Sequence, residues 1–478
     1  MAAGSREEAH GQGCWLNQAE PPFAAGISFT SLGDHVEEAI AARLLASINA
    51  DRLVLLAGAG VSVSPPSRVP LATPLAAYCA AEHTRITTEV LSQPVANDLL
   101  QQTEFFRTRG QLISHFVAKL VPWPDFLRPP NRGHDAIADF LAAAVADFVV
   151  TTNYDTLVES SAGELGEPDF RPALDGEQAN DASPPHRPYL KIHGCCHLDR
   201  KNTIWCPSQL ADPEIDKKLQ SAKQWLAGKL PGRDVVVLGF WSDWKYLNSV
   251  LEGAVAATVP ASVIVVDTAG LADLEERAPG LWAWAHKPGV HFAHVQEPAS
   301  QFLDELRARF SRVLLEQIFQ ASQPTYIQMS GGPFQGAVAL PANLSTDHLY
   351  SLRRAFSGSP ATDITRIKRP DVQMHIAGAT HLLLMSGGAV LDGPVYVLNG
   401  TTIRLVNGAG QVISEVRGRF AGEGGRAVSV DYVICAGARD DGGVPPSVIR
   451  GQGPASVVRA GNHGNWLTDE QARPKLGF

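Results

Sequence analysis

The sequence predicts an α/β protein: a Rossmann-like parallel sheet with helices on both faces, followed by a C-terminal mostly β domain. Three observations predict it. Short, almost wholly apolar runs alternate with segments of helical spacing, as expected for strands buried on both faces. Polar and glycine residues gather where those runs end, at Gly58, Thr151, His193, Gly239 and Asp267. Near Gln323 the texture changes, and glycine-dense, β-prone runs follow, parted by turn signals.

Taken in order, residues 1–33 show no sustained period and read as a flexible N-terminal arm. His35–Ala50 repeats Val36, Ile40, Leu44, Leu45 and Ile48 at helical spacing. Arg52–Ala57 is β-prone and ends at Gly58, and a helix is expected over Pro74–Glu82, with Pro74 in its first turn. Ile86–Leu120 reads as further helices and His134–Ala146 as another. Phe148–Val150 is a buried strand, Tyr154–Ser161 a helix, and Gly163–Arg187 a long loop rich in Pro, Gly, Asp and Ser. Tyr189–Ile192, Asp234–Leu238 and Ser262–Val266 are strands; Ile215–Ala227, Tyr246–Ala257 and Phe302–Ile318 are helices. Residues 34–322 are therefore taken as one sheet-based domain and 323–478 as a second. The latter is read as mostly antiparallel, with strands at Thr325–Met329, His381–Met385, Val395–Leu398, Thr402–Val406 and Val428–Cys435, and one helix at Leu349–Phe356.

Bulk properties narrow the function classes. The 478 residues are 45% apolar and 19% charged, enough for sizeable cores. A formal net charge of -9 opposes direct nucleic-acid binding. The basic residues Arg353, Arg354, Arg366, Lys368 and Arg369 read as a solvated face. Six cysteines without a regular framework point to a reducing, cytoplasmic setting. No pair has CxxC spacing, so no zinc is expected, and adjacent Cys195 and Cys196 are poor metal geometry. No apolar run is long enough to predict a membrane span.

Five segments carry chemistry, each with a plainer structural reading beside it. Gly58-Ala59-Gly60-Val61-Ser62 follows a strand; such a turn lets a pyrophosphate approach the backbone, and equally serves pure packing. Thr151-Thr152-Asn153-Tyr154-Asp155 delivers an amide and an acid to a strand end, where both also suit a helix cap. Lys191-Ile192-His193-Gly194 places an imidazole at a strand exit, fit for general-base work or for structure alone. Gly239-Phe240-Trp241-Ser242-Asp243 and Val265-Val266-Asp267 close two more strands; an acid there suits a ribose hydroxyl or plain solvent.

In this order and context the five segments resemble the sirtuin superfamily, in its divergent branch associated with bacterial anti-phage defence. The resemblance covers roughly His35 to Gln320. TTNYD is similar to the sirtuin TQNID motif, and KIHG to the segment bearing the catalytic histidine. Two departures weigh against protein deacetylation: there is no paired-CxxC zinc ribbon, and Val63–Pro70 is unlike the GIPDFR-type loop. The resemblance implies NAD as substrate, its phosphates held by Gly58, Ala59, Gly60 and Ser62, with Thr152 and Gly239 completing the pocket. Asp155 would bond the nicotinamide carboxamide, Asn153 would order a water or ribose hydroxyl, and His193 would act as general base. Ser242 and Asp267 would reach the phosphate and the adenosine ribose. The activity so implied is NAD+ glycohydrolysis by a regulated anti-phage effector. The C-terminal region would form a homo-oligomer or bind a cognate defence partner. A deacylase or ADP-ribosyltransferase, and a non-catalytic NAD or ADP-ribose scaffold, are the alternatives.

Overall fold

The computed structural model describes residues 35–182, 187–239, 253, 255–441 and 464–478. The expected arm, the segment from Phe240 to Asp243 with Ser242, and most of the helix expected at Tyr246–Ala257 lie outside the described residues.

Six strands, β1 (Leu53–Ala57), β2 (Phe148–Thr151), β3 (Tyr189–Lys191), β4 (Asp234–Leu238), β5 (Ser262–Val266) and β6 (His291–Val295), form one parallel sheet in the order β3-β2-β1-β4-β5-β6. Side chains alternate between its two faces, as the period of two requires. Leu53, Leu55, Val149, Val236 and Ile264 enter one apolar core, while Val54, Leu56, Val150, Val237 and Val265 enter the other. The chain leaves β1 to one side for β2 and β3, and returns on its other side as β4. This reversal makes the carboxyl ends of β1 and β4 the topological switch point, the place where doubly wound sheets bind ligands.

β6 was not among the strands the sequence predicts. Its residues His291-Phe292-Ala293-His294 are exposed or half-buried and only Val295 is buried, as befits a sheet edge, so the strong apolar signal of the inner strands is missing. The expected loop at Gly163–Arg187 holds a short helix, Gly176–Asp181, capped by the Asp175 carboxylate. A helical layer over Ala72–Leu127 covers part of the carboxyl edge; its core takes in Phe106, Phe116 and Trp123 together with Tyr154 and Trp205.

The C-terminal region carries a second sheet of β7 (Val390–Asp392), β8 (Val395–Leu398), β9 (Thr401–Asn407), β10 (Tyr432–Ala436) and β11 (Trp466–Thr468). This sheet is mixed rather than antiparallel, because β9, β10 and β11 run parallel and only β7-β8-β9 forms a meander. Two expected strands are helices: Thr325–Met329 lies within Gln323–Ser330, and His381–Met385 within His375–Ser386. Both runs are apolar and short, and length alone does not separate a buried strand from a buried helix turn. In the second case Ala377, Ala379, Leu382, Leu383 and Leu384 are all buried, so packing decides.

A single apolar core crosses residue 322. It joins Leu44 and Phe140 of the first region to Phe356, Leu382, Ile403 and Ala472 of the second, through the helix Ala299–Ala321. The basic residues expected on a solvated face line this seam instead. Arg353 is fully buried and, with Arg307, clasps the buried Asp139 of the helix Arg132–Ala142. Arg366 pairs with Glu167, while Lys368 and Arg369 both reach Asp51, at 2.5 and 2.7 Å. Arg354 is largely buried beside the Tyr350 ring. The run looked solvated in sequence because its acidic partners lie some 200 to 320 positions away.

Candidate active site at the carboxyl edge of the parallel sheet

The turn after β1 is fastened to the turn after β4. Gly58 N–H donates to Leu238 O and Gly60 N–H to Gly239 O, both at 2.9 Å. A side chain on Gly60 would put its Cβ 2.6 Å from the Gly239 Cα, and Gly239 has a φ of +54°. Both positions thus require glycine for close backbone approach. The N–H groups of Gly58 and Gly60, two of the residues expected to hold phosphate, are spent on this junction. Ala59 is exposed at the tip of the turn.

Behind the turn lies a buried polar cluster centred on Ser62, itself 1% exposed. Its Oγ donates to Asp155 Oδ2 at 2.9 Å, and receives Asn153 Nδ2 at 3.1 Å and His134 Nε2 at 3.0 Å. The direction of each bond follows from its partners. Asn131 N–H donates to His134 Nδ1, so that nitrogen is an acceptor and the proton sits on Nε2. Asn153 Nδ2 also faces Gly58 O at 3.1 Å, and a carbonyl can only accept. Ser62 therefore accepts twice and donates once, to the carboxylate. The Ser62 hydroxyl, expected to hold a phosphate, is enclosed here and engaged in three hydrogen bonds.

Asn153 is left with its Oδ1 buried and without a hydrogen-bond partner among the described residues. Asp155 is buried, with Oδ1 accepting from Leu157 N–H, the first residue of the next helix, at 3.2 Å. The structure thus brings Asn153, Asp155 and Ser62 into one cluster. Thr152 N–H reaches Ala57 O at 3.3 Å, tying the β2 exit to β1.

His193 follows β3 and packs against the exit of β2. Its ring lies 6.5 Å from the Tyr154 ring, and it hydrogen-bonds the Thr152 backbone. Burial lowers its pKa to about 3, so the imidazole is neutral at pH 7. Burial likewise lowers His134 to about 4, with Asp155 pulling the other way. Asp267, at the end of β5, is half-buried, which raises its pKa; its Oδ1 accepts from Ala269 N–H at 2.9 Å.

Two participants escaped sequence reasoning. His134 occupies the third helical position after the N-cap Asn131, a spacing that sequence patterns recognise when the residue is Glu or Gln. Lys191 is fully buried in β3; it pairs with Glu159 at 2.6 Å and donates to the Asp155 carbonyl. A lysine inside an otherwise apolar strand was the available signal. Among the described residues no cluster of three or more His, Cys, Asp or Glu side chains is placed to hold a metal, and no helix is long and apolar enough to cross a membrane.

The fold and this edge define a doubly wound α/β protein with a polar site at its switch point. Residues 147–287 match the family model described as a SIR2-like domain. The match takes in Asn153, Asp155, His193, Gly239 and Asp267, and begins after the Gly58–Gly60 turn. Solved structures similar to this chain include one described under the mechanism and regulation of Sir2 enzymes, at 16% identity, covering 57% of this chain and 96% of that one, with a TM-score of 0.31. A Sir2 homologue in complex with NAD is 15% identical over 55% of this chain and 91% of its own, with a TM-score of 0.29. A Sir2 complex with a p53 peptide and NAD+ is 12% identical over 55% and 95%, with a TM-score of 0.30. None of the curated proteins compared matches the sequence.

Proposed function

We propose that this protein is an NAD+ glycohydrolase that releases nicotinamide and leaves ADP-ribose or a cyclic form of it, and that it serves as a regulated effector of bacterial anti-phage defence by depleting NAD+. The observation that carries the reading is the orphaned acceptor, Asn153 Oδ1. A buried acceptor left unpaired costs roughly 1–3 kcal/mol, and such a group is most readily explained by a ligand or water that completes it. It lies within the residues that match a SIR2-like family model and near the switch point of the sheet, where this sheet class receives dinucleotides.

The chemistry asks little of the protein beyond placement. The bond from the ribose C1 to the nicotinamide nitrogen breaks, and the nitrogen keeps the electron pair, turning a cationic ring into a neutral leaving group. The sugar carbon passes through an oxocarbenium-like state, as in glycoside cleavage. Asn153 Oδ1 accepts a hydrogen bond from the attacking water or a ribose hydroxyl, while Asp155 lies at the carboxamide end. Oxygen attached to such a carbon is strongly acidic, so even an imidazole with its pKa lowered to about 3 can take its proton and pass it to bulk water. Ala59, Thr152, Gly239, Asp267 and Ser242 are assigned to the remainder of the dinucleotide. Residues 323–478 are assigned to control of the site, through self-association or a cognate partner.

Incubating the purified full chain with NAD+ alone and following nicotinamide tests this. Release is expected, falling by about 100-fold or more in Asn153→Ala and in His193→Ala, as loss of orientation or of proton transfer predicts. Release that requires an acylated or acceptor protein assigns the chain to deacylation or ADP-ribosyl transfer. Bound NAD+ without release assigns it to scaffolding.

A further inference from the structure

Resting on the reading of this edge as an NAD-cleaving site, we propose that His134 is a positioning residue: its Nε2–H holds Ser62, and through Ser62 it fixes the amide of Asn153 and the carboxylate of Asp155. Four bonds form an ordered chain. Asn131 N–H to His134 Nδ1 at 3.0 Å makes His134 a donor at Nε2. That donor occupies one lone pair of Ser62 Oγ at 3.0 Å, and Asn153 Nδ2 takes the other at 3.1 Å. With both lone pairs filled, the hydroxyl hydrogen points to Asp155 Oδ2 at 2.9 Å.

Each link has a single allowed polarity, so the chain cannot reverse. Were Nε2 an acceptor, it would compete with Asp155 for the one Ser62 hydrogen. The Asn153 amide is held in the sense that presents Oδ1 to the site, with Gly58 O as its second anchor. His134 is itself rigid. It is 1% exposed, and the Asn131 that takes its backbone N–H also donates to Val61 O and Ser64 O, on either side of Ser62. The helix Arg132–Ala142 and the turn after β1 are thereby locked together at the point where the reacting groups are aimed. His134 is enclosed by the protein, and its side-chain link to Asn153 and Asp155 runs through the Ser62 hydroxyl.

The test uses the full chain and two variants. His134→Phe fills the space without a donor; His134→Gln offers an acceptor and a donor in the same order as the imidazole. With rates normalised to folded protein, His134→Phe is expected to lower kcat for nicotinamide release by about 100-fold, the size of effect that a small misplacement produces. KM is expected to stay within roughly threefold, because substrate contacts are untouched. His134→Gln is expected to recover most of kcat. A kcat of His134→Phe near that of the native chain overturns the proposal, as does failure of the glutamine to rescue.

A long-range proton–nitrogen NMR spectrum of histidine-labelled protein supplies a readout besides activity. It is expected to show His134 as the Nε2–H tautomer; the Nδ1–H tautomer overturns the proposal whatever the enzyme does. If the native chain cleaves no NAD+ while the tautomer is as expected, the activity reading fails and the hydrogen-bond chain stands.

Discussion

Replacing Ser62 by alanine separates an enclosed hub from a phosphate ligand. The hydroxyl makes three bonds in a site 1% exposed to solvent. Asn153 Nδ2 keeps Gly58 O at 3.1 Å, so its loss is partial. His134 Nε2–H loses its acceptor and Asp155 Oδ2 loses a donor. An unsatisfied buried donor costs about 1–3 kcal/mol, and a bond to a charged group contributes about 1.5–3 kcal/mol. Partial relaxation keeps the total below the full sum, so roughly 3 kcal/mol is expected. For a cooperative unit of about 150–250 residues this lowers Tm by roughly 6–12 °C. Differential scanning fluorimetry of Ser62→Ala without ligand measures it. A Tm unchanged from the native chain, together with weaker ADP-ribose binding, would refute the hub and restore Ser62 as a ligand contact.

Three further outcomes follow from the same geometry. Asp139→Ala strands two buried guanidinium groups, Arg307 and Arg353, and is expected to cost about 3–5 kcal/mol in urea unfolding; replacing all three residues with apolar ones of similar volume is expected to restore most of it. Gly239→Ala meets both a φ of +54° and the Gly60 backbone, and is expected to lower Tm far more than Ala59→Ser at the exposed tip of the turn. For pH, burial holds His134 at about 4 against 6.5 in the unfolded chain, so the unfolded state binds the extra proton. Its contribution is complete above pH 6.5 and is lost as pH falls toward 4. The unfolding free energy of the native chain should therefore fall more steeply than that of His134→Gln over this window, by up to about 1.4 kcal/mol per pH unit; parallel curves would show that His134 is not buried as a neutral base.

The legible part of the fold was the part with short-range signals. Strands such as Val235–Leu238 and Val263–Val266 are rich in β-branched residues and buried on both faces, so apolarity, length and flanking turns agree. The β6 edge lacks that agreement, and Gln323–Ser330 and His375–Ser386 are helices that local pattern left ambiguous. At the site, Asn153, Asp155 and His193 were visible because they sit at strand exits. His134 and Lys191 were not, since their meaning lies in Ser62, 72 positions distant, and in the Asp155 carbonyl, 36 positions distant.

The sequence Gly-Ala-Gly after a strand occurs twice, and the comparison shows what it encodes. After β9, Gly408 N–H donates to Ala436 O at 2.8 Å and Gly410 N–H to Gly437 O at 3.1 Å, repeating the bonds that Gly58 and Gly60 make to Leu238 and Gly239. In both places a parallel neighbour ends in a glycine of positive φ, Gly239 or Gly437, and a Cβ on the first sheet's Gly60 or the second's Gly408 would stand under 3 Å from that neighbouring turn. The shared signature therefore specifies how two strand ends close on each other, a packing task common to both sheets. What differs is the company at the edge. Beside the first turn stand Ser62, Asn153 and Asp155, whose side chains bond to one another. Beside the second, Asp469 accepts from Gly437 N–H and Asp441 from Ser414 N–H, so these carboxylates serve the backbone. The chemistry of the first site hence rests on side chains delivered by β2 and by the helix Arg132–Ala142, and a glycine turn alone predicts neither.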